Sequence, residues 1–318
     1  MPANVEKMAL IGRPSWHGLE DVMPEGASMD EWMHTAGMGH LVRKVPVLYD
    51  IGERSGQRIV ETDERFVLFR DDTNALLSIV GPEYRVVQPR EVIEFFTDLV
   101  AKHGFTMETA GCLAGGKKVW ALARTGNEVE IGKAGDMVKQ YLLLATSYDK
   151  SIETTAKHTA VRVVCQNTLS ASVNSGEPAV KVSHRSVFDA DQVKIDLGLL
   201  EGELSDFAKL ANAMTEVKVR KAIWAARWYA ELLTDKEGLS DEDVVGMQTD
   251  SRVIQTLLQV FANGKGAEPT LWGLVNGVTA FVDHIRGRTP ASGLNSAWFG
   301  AGATLKEKAW RKAAAQVA

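Results

Sequence analysis

The apolar residues of this chain change their spacing once, and that change narrows the folds open to it more than any other feature. Between Pro46 and Cys165 the runs VPVLYDI, RFVLFRDD, ALLSIVG, FTMETAGCL, KKVWALART, EVEIGKAGDMVKQYLLLATSYD and SIETTAKHTAVRVVC are bounded by Gly, Asp or Asn. Short β-rich runs between turn residues read as strands joined by hairpins. From Ala190 onward Leu197, Leu200, Leu204, Phe207, Leu210 and Met214 recur at steps of three and four, the period of an amphipathic helix. Strands first and helices afterwards predict an α+β fold: an antiparallel hairpin-rich sheet with packed helices, followed by a mainly helical C-terminal region. Along the chain this gives an N-terminal arm over 1–45, a sheet domain over 46–188, and a helical region over 189–318 that packs on the sheet or on a neighbouring protomer.

Local signals sharpen the outline. Ser28 is placed to cap a helix running to about Ala36, and Pro89 to open a second one that stops near Gly104. Gly115-Gly116, Gly126-Asn127 and Asp149-Lys150 mark expected hairpin turns. Asn167 reads as the N-cap of a helix following Cys165. Ser240, with Asp243 three residues on, forms a capping-box pattern. Further helices are expected over Arg252–Ala262, Leu271–Ile285 and Thr304–Val317.

Composition then excludes broad classes of function. With 318 residues, 45% hydrophobic and 24% charged, the chain can bury a large core and is neither disordered nor fibrous. Lys and Arg number 36 against 41 Asp and Glu, a net charge of −5. A histone-like coating of nucleic acid is therefore excluded, and any such site must be a local basic patch. The two cysteines, Cys112 and Cys165, support neither a disulfide framework nor a four-cysteine zinc site, which predicts a reducing cytoplasm. No secretory leader and no apolar run of membrane-spanning length is read, so no membrane partner is expected.

Familiar reaction motifs are missing: there is no phosphate-binding P-loop, no dinucleotide fingerprint, no nucleophile elbow and no zinc-protease helix motif. The glycines of AGCLAGGKK read as a hairpin tip with Lys117 and Lys118 beside it. His34 and His40 with Asp30 lack a third metal ligand, and Asp283 and His284, adjacent on a helix, point about 100° apart. Cys165 has His158 and Asn167 near it in sequence, the constituents of thiol chemistry. Along an extended strand, however, His158 and Cys165 lie roughly 23 Å apart. The expectation is no catalytic set, no cofactor and no metal, with an enzyme using Cys165, or the Trp16-His17 region, as a remote alternative.

The basic residues from 139 to 186 form a stronger pattern. Lys139, Lys150, Lys157, Arg162, Lys181 and Arg185 face only Asp149, Glu153 and Glu177 in that window, so charge is segregated within an acidic chain. His158 shares a strand face with Arg162. Tyr141 and Tyr148 lie on the same hairpin, and single-strand binders set aromatic platforms beside a cationic groove. Asn167, at an expected helix start, would add an anion site.

The motifs PSWHGLE, LLSIVGPEYRVVQPREVIEFF, TAGCLAGGKKVWALAR, YLLLATSYDKS, AVRVVCQNTL, LWGLVNGVTAFVDHIR and NSAWFGAGATLKEKA, in this order from about Trp16 to Ala309, resemble the phage/plasmid-like proteins built on a bacterial and phage domain of unknown function. The resemblance implies a phage or mobile-element origin and no particular reaction. Two motifs depart from its pattern: Gly277 and Ala280 stand where a small residue and an acid are usual, and Glu20 where WHGLG is common.

Together these observations predict a phage or mobile-element DNA-binding protein, of the single-strand annealing or recombination-accessory type, in the host bacterial cytoplasm. Its contacts would be Lys139, Lys150, Lys157, His158, Asn167, Arg162, Lys181 and Arg185, with stacking on Tyr141 and Tyr148. The alternative is a non-enzymatic homo-oligomer that binds a host protein, with Trp224, Trp228, Trp272, Trp298 and Trp310 as interface anchors where exposed, Trp224 and Trp272 reading rather as core residues of the helical layer.

Overall fold

In a computed structural model of the chain, residues 5–11, 21–52, 56–132, 135–162, 167–169, 179–198, 203–264, 267–287 and 289–318 are described. The first half holds β1 (Val5–Ile11), β2 (Asp21–Met23), α1 (Met29–Thr35), β3 (Val42–Asp50), β4 (Ile59–Arg70), β5 (Leu76–Val80), α2 (Pro89–Glu94) and α3 (Thr97–His103). Then come β6 (Thr106–Leu113), β7 (Lys118–Ile131), β8 (Asp136–Ser147), β9 (Thr154–Arg162), β10 (Asn167–Leu169) and β11 (Val180–Val182). The helices α4 (Ala190–Gly198), α5 (Glu203–Glu216), α6 (Ala222–Thr234), α7 (Asp241–Asp250), α8 (Arg252–Asn263) and α9 (Leu271–Ala280) follow. A π-helical turn at Phe281–Ile285 precedes α10 (Pro290–Phe299) and α11 (Ala301–Ala314).

The fold is α+β. One sheet has the order β10-β9-β8-β7-β6-β1-β2 with β11 also on β9, and a second has the order β3-β4-β5. The β6–β7 hairpin pairs Leu113 with Lys118 across the Gly115-Gly116 tip. Where the sequence predicts caps, the side chains make them: Ser28 and Glu31 form a reciprocal box at α1, as do Ser240 and Asp243 at α7. Both satisfy backbone N–H groups that a helix start leaves without partners.

Two expectations are corrected. Gly126-Asn127 is not a turn, because β7 continues to Ile131; Gly126 takes φ +87° within it, a left-handed conformation that glycine adopts without a Cβ penalty. Asn167 does not cap a helix: Asn167–Leu169 is a strand, with Asn167 opposite Arg162. By compactness, one unit takes 1–125, 142–157 and 179–199, and the other takes 126–141, 158–178 and 200–318. Trp16, His17 and Cys165 lie outside the described residues.

In the second unit, helical spacing becomes a core around Phe207, Met214, Trp228, Tyr229, Leu257, Trp272, Leu274 and Trp310. Trp228, Trp272 and Trp310 are buried there, and Trp224 and Trp298 pack against the same cluster. The buried three are therefore core residues and not exposed interface anchors. The indole N–H of Trp272 donates to Asp136 Oδ2 at 3.1 Å. Gly277 permits a close approach: a Cβ there would lie 2.4 Å from the Tyr229 hydroxyl, which donates to the Leu274 carbonyl at 3.2 Å. Gly277→Ala is therefore expected to destabilise by about 1–3 kcal/mol through overpacking, measured by denaturant unfolding. Much of that loss should vanish when Tyr229→Phe is the background; an equal loss in both backgrounds would remove the hydroxyl as its cause.

Among the described residues no helix is long and apolar enough to cross a membrane, and no group of three His, Cys, Asp or Glu is arranged to hold a metal. His40 is buried, with Nδ1 3.1 Å from the Gly37 carbonyl.

Candidate functional site

The first unit carries a cleft of about 410 Å³ lined by Arg65, Glu83, Tyr84, Lys150, His184 and Arg185 among others. Four local structures bring these together. Pairing of β3 with β4 passes from Pro46↔Phe66 to Leu48↔Glu61, so residues 62–65 bulge out of the ladder, and Arg65 stands at the bulge with its guanidinium donating to the Glu64 carbonyl at 2.9 Å. After β5 the chain turns at Gly81, whose carbonyl accepts from Tyr84 N–H at 3.3 Å. Lys44 secures that turn by donating to the carbonyls of Pro82 (2.6 Å) and Tyr84 (3.1 Å). Burial, helped by the nearby Arg85 charge, holds this ammonium below its ordinary pKa.

Asp149-Lys150 is a turn, as its sequence predicts. Asp149 Oδ1 accepts from Ser151 N–H at 3.0 Å, and the Ser147 hydroxyl bridges to the Ile152 carbonyl and N–H at 2.8 and 3.1 Å. Lys150 sits in the left-handed region, φ +64°, with its ammonium 3.1 Å from the Ile79 carbonyl. Beyond β11, the turn closed by Ser186 N–H on the Ser183 carbonyl presents His184 and Arg185. The imidazole of His184 stacks on Tyr84 with centroids 4.6 Å apart and planes at 22°.

Electrostatically the cleft is distinguished by cations without counterions. Arg65, Lys150 and Arg185 are exposed and have no ion pair among the described residues, although Glu83 and Glu153 also line the cleft. In the same unit Arg70, Arg90, Lys102 and Lys194 are each held by a carboxylate: Asp72, Glu94, Asp98, and Asp98 with Asp191. Exposed cations that converge without a paired carboxylate are the arrangement an anionic ligand completes.

Of the residues singled out from the sequence, Lys150 and Arg185 meet in this cleft. Lys181 lies opposite Thr155 on neighbouring strands, which places it on the same sheet face as Lys157, two residues along β9. Lys139, Tyr141, His158, Arg162 and Asn167 belong to the second unit. The stacking role assigned to the tyrosines is corrected by their burial. Tyr141 is 5% exposed and Tyr148 0%, with the Tyr148 hydroxyl donating to the Val87 carbonyl at 2.9 Å. Burial also pushes the Tyr148 phenol well above its usual pKa. Both rings lie in the interior: Tyr141 on β8, whose later residues are buried on both faces, and Tyr148 in the turn that follows the strand. Burial likewise lowers the His158 pKa, so this ring is neutral at pH 7 and adds no charge for a phosphate.

Three lining residues were not picked out from the sequence. His184 lies inside the basic window beside Arg185 and could have been noticed there. Tyr84 and Arg65 are distant in the chain, and only the turn after β5 and the bulge of β4 place them at the cleft.

The sequence profile of a family described as a domain of unknown function (DUF932) matches residues 76–310, most of the chain. No curated protein and no solved structure matched it.

Proposed function

The chain belongs to the family built on this domain of unknown function, DUF932, and since that description assigns no reaction we propose, from the cleft itself, that the protein binds nucleic acid and takes a single DNA strand across Arg65, Lys150 and Arg185. We read it as a phage or mobile-element protein of the single-strand annealing or recombination-accessory type, working in the cytoplasm of a bacterial host. The observation that carries this reading is the convergence on one cleft of three exposed cations that have no ion pair among the described residues. A phosphodiester supplies the missing charge, and Arg can grip it with two parallel hydrogen bonds. The acidic whole, at −5, limits nonspecific coating and leaves recognition to this face.

The test is a titration of a labelled single strand by fluorescence anisotropy at several salt concentrations. Each neutralised phosphate contributes a slope of about −0.7 in log affinity against log salt on single strands. The double variant Lys150→Ala/Arg185→Ala should flatten the slope by about 1.4 and weaken binding at low salt. A wild-type protein that leaves the anisotropy unchanged at low salt would sink the reading.

A second reading, a homo-oligomer that engages a host protein, is favoured by the three-stranded sheet, where Val45, Leu76 and Ile79 lie exposed on one face. Apolar side chains gathered on one small sheet mark a surface suited to burial against protein. Mass-resolved chromatography with and without DNA separates the two: an oligomer without DNA co-elution favours the second.

A further inference from the structure

The cleft carries a second chemistry besides charge. His184 is half-buried, and its ring is fixed from several sides. Its Nε2–H donates to the Ile152 carbonyl at 2.9 Å, the only role open to a nitrogen facing a carbonyl, and the residue's own carbonyl accepts from Arg85 N–H at 2.6 Å. Tyr84 backs the imidazole at 4.6 Å. That support is rigid: Tyr84 is 8% exposed, and its hydroxyl donates to the Ser147 carbonyl at 2.7 Å. A flat ring held by a hydrogen bond and a second ring is a preorganised stacking surface, which loses little freedom when another ring is laid upon it. Arg185 follows directly in the chain, and Lys150 and Arg65 line the same space.

We propose that the cleft seats one nucleotide of the strand, with its base stacked on His184 and its phosphate held by Arg185 and Lys150. This rests on the nucleic-acid reading above and adds to it the unit recognised and the ring that recognises it. A volume of about 410 Å³ lies toward the small end of ligand sites, which span about 300–1,000 Å³. It suits one base with its sugar better than a run of bases. Base stacking of this kind tolerates any base, because each has a π-face.

The test uses the full chain and two labelled strands of equal length, an oligothymidylate and the same backbone without bases, compared by anisotropy at one low salt concentration. The wild type should bind the thymidylate strand roughly ten-fold more tightly, within the range that one stacked base supplies. His184→Ala should erase that preference, and His184→Phe, which keeps a ring, should retain it. Arg185→Ala should weaken both strands together. A wild type that binds both strands equally overturns the stacking proposal and leaves the nucleic-acid reading standing, whereas binding to neither ends both. Loss of the preference in His184→Phe as well as His184→Ala also overturns it, since the hydrogen bond to Ile152 and not the ring would then be what matters.

Discussion

Replacing Trp310 with alanine should cost about 3–5 kcal/mol of stability, the range for deleting a large buried aromatic ring. Trp310 is 2% exposed on α11 and stacks on Phe207 of α5, with centroids 4.7 Å apart and planes at 13°. It also meets Trp272 of α9 edge to face at 6.4 Å, and Trp272 in turn meets Phe207 at 6.1 Å. Three helices thus share one triangle of rings, and each pair adds about 0.5–1.5 kcal/mol beyond area alone. Deleting one ring leaves two contacts unmade and a cavity that three helices cannot collapse together to fill. Trp310→Phe preserves a stacking surface and should lose markedly less. Guanidinium unfolding followed by tryptophan fluorescence and by far-UV circular dichroism checks both variants; a loss below about 1 kcal/mol for alanine would show that the triangle is not structural.

Asp283→Ala should be of similar size, about 3–5 kcal/mol, for a different reason. Lys306 of α11 is buried, its side chain 1% exposed, and its ammonium lies 2.8 Å from Asp283 in the π-helical turn. Removing the carboxylate strands a cation in the interior, where its solvation cannot be replaced. Asp283→Ala/Lys306→Met removes both charges and should recover much of the loss. Denaturant unfolding of the two variants decides the matter; an equal loss in both would mean that the stranded ammonium is not its cause.

The same physics marks how far the sequence could be read. Caps were legible because their chemistry is local: Ser28 and Glu31, like Ser240 and Asp243, need only a separation of three residues to reach each other's backbone. The three strands of the β3–β5 sheet were legible because turn residues bracket short apolar runs. Gly126 misled because a glycine with positive φ serves equally in a turn or within a strand, and only the partner strand decides between them. Asn167 misled because a capping side chain is also compatible with an edge strand, and pairing with β9 outweighed the local preference. The tyrosines misled most: Tyr141 and Tyr148 stand among basic residues in the sequence, but β8 is covered on both faces at Tyr141, and the turn after it packs Tyr148 inward with its hydroxyl on the Val87 carbonyl.

By itself the sequence determined the α+β class, the change from strands to helices along the chain, the capped helix starts at Ser28 and Ser240 and the segregation of positive charge into 139–186. These are written in spacings of two to four residues, over which side-chain direction follows from backbone geometry. Tertiary structure alone decided that Lys150 and Arg185 meet Arg65 across more than eighty residues of chain, and that His184 lies on Tyr84. Those pairings depend on strand register, on a four-residue bulge and on two turns closing against each other. No local spacing encodes them, because they are fixed by which segments bury each other's surface once the chain has folded.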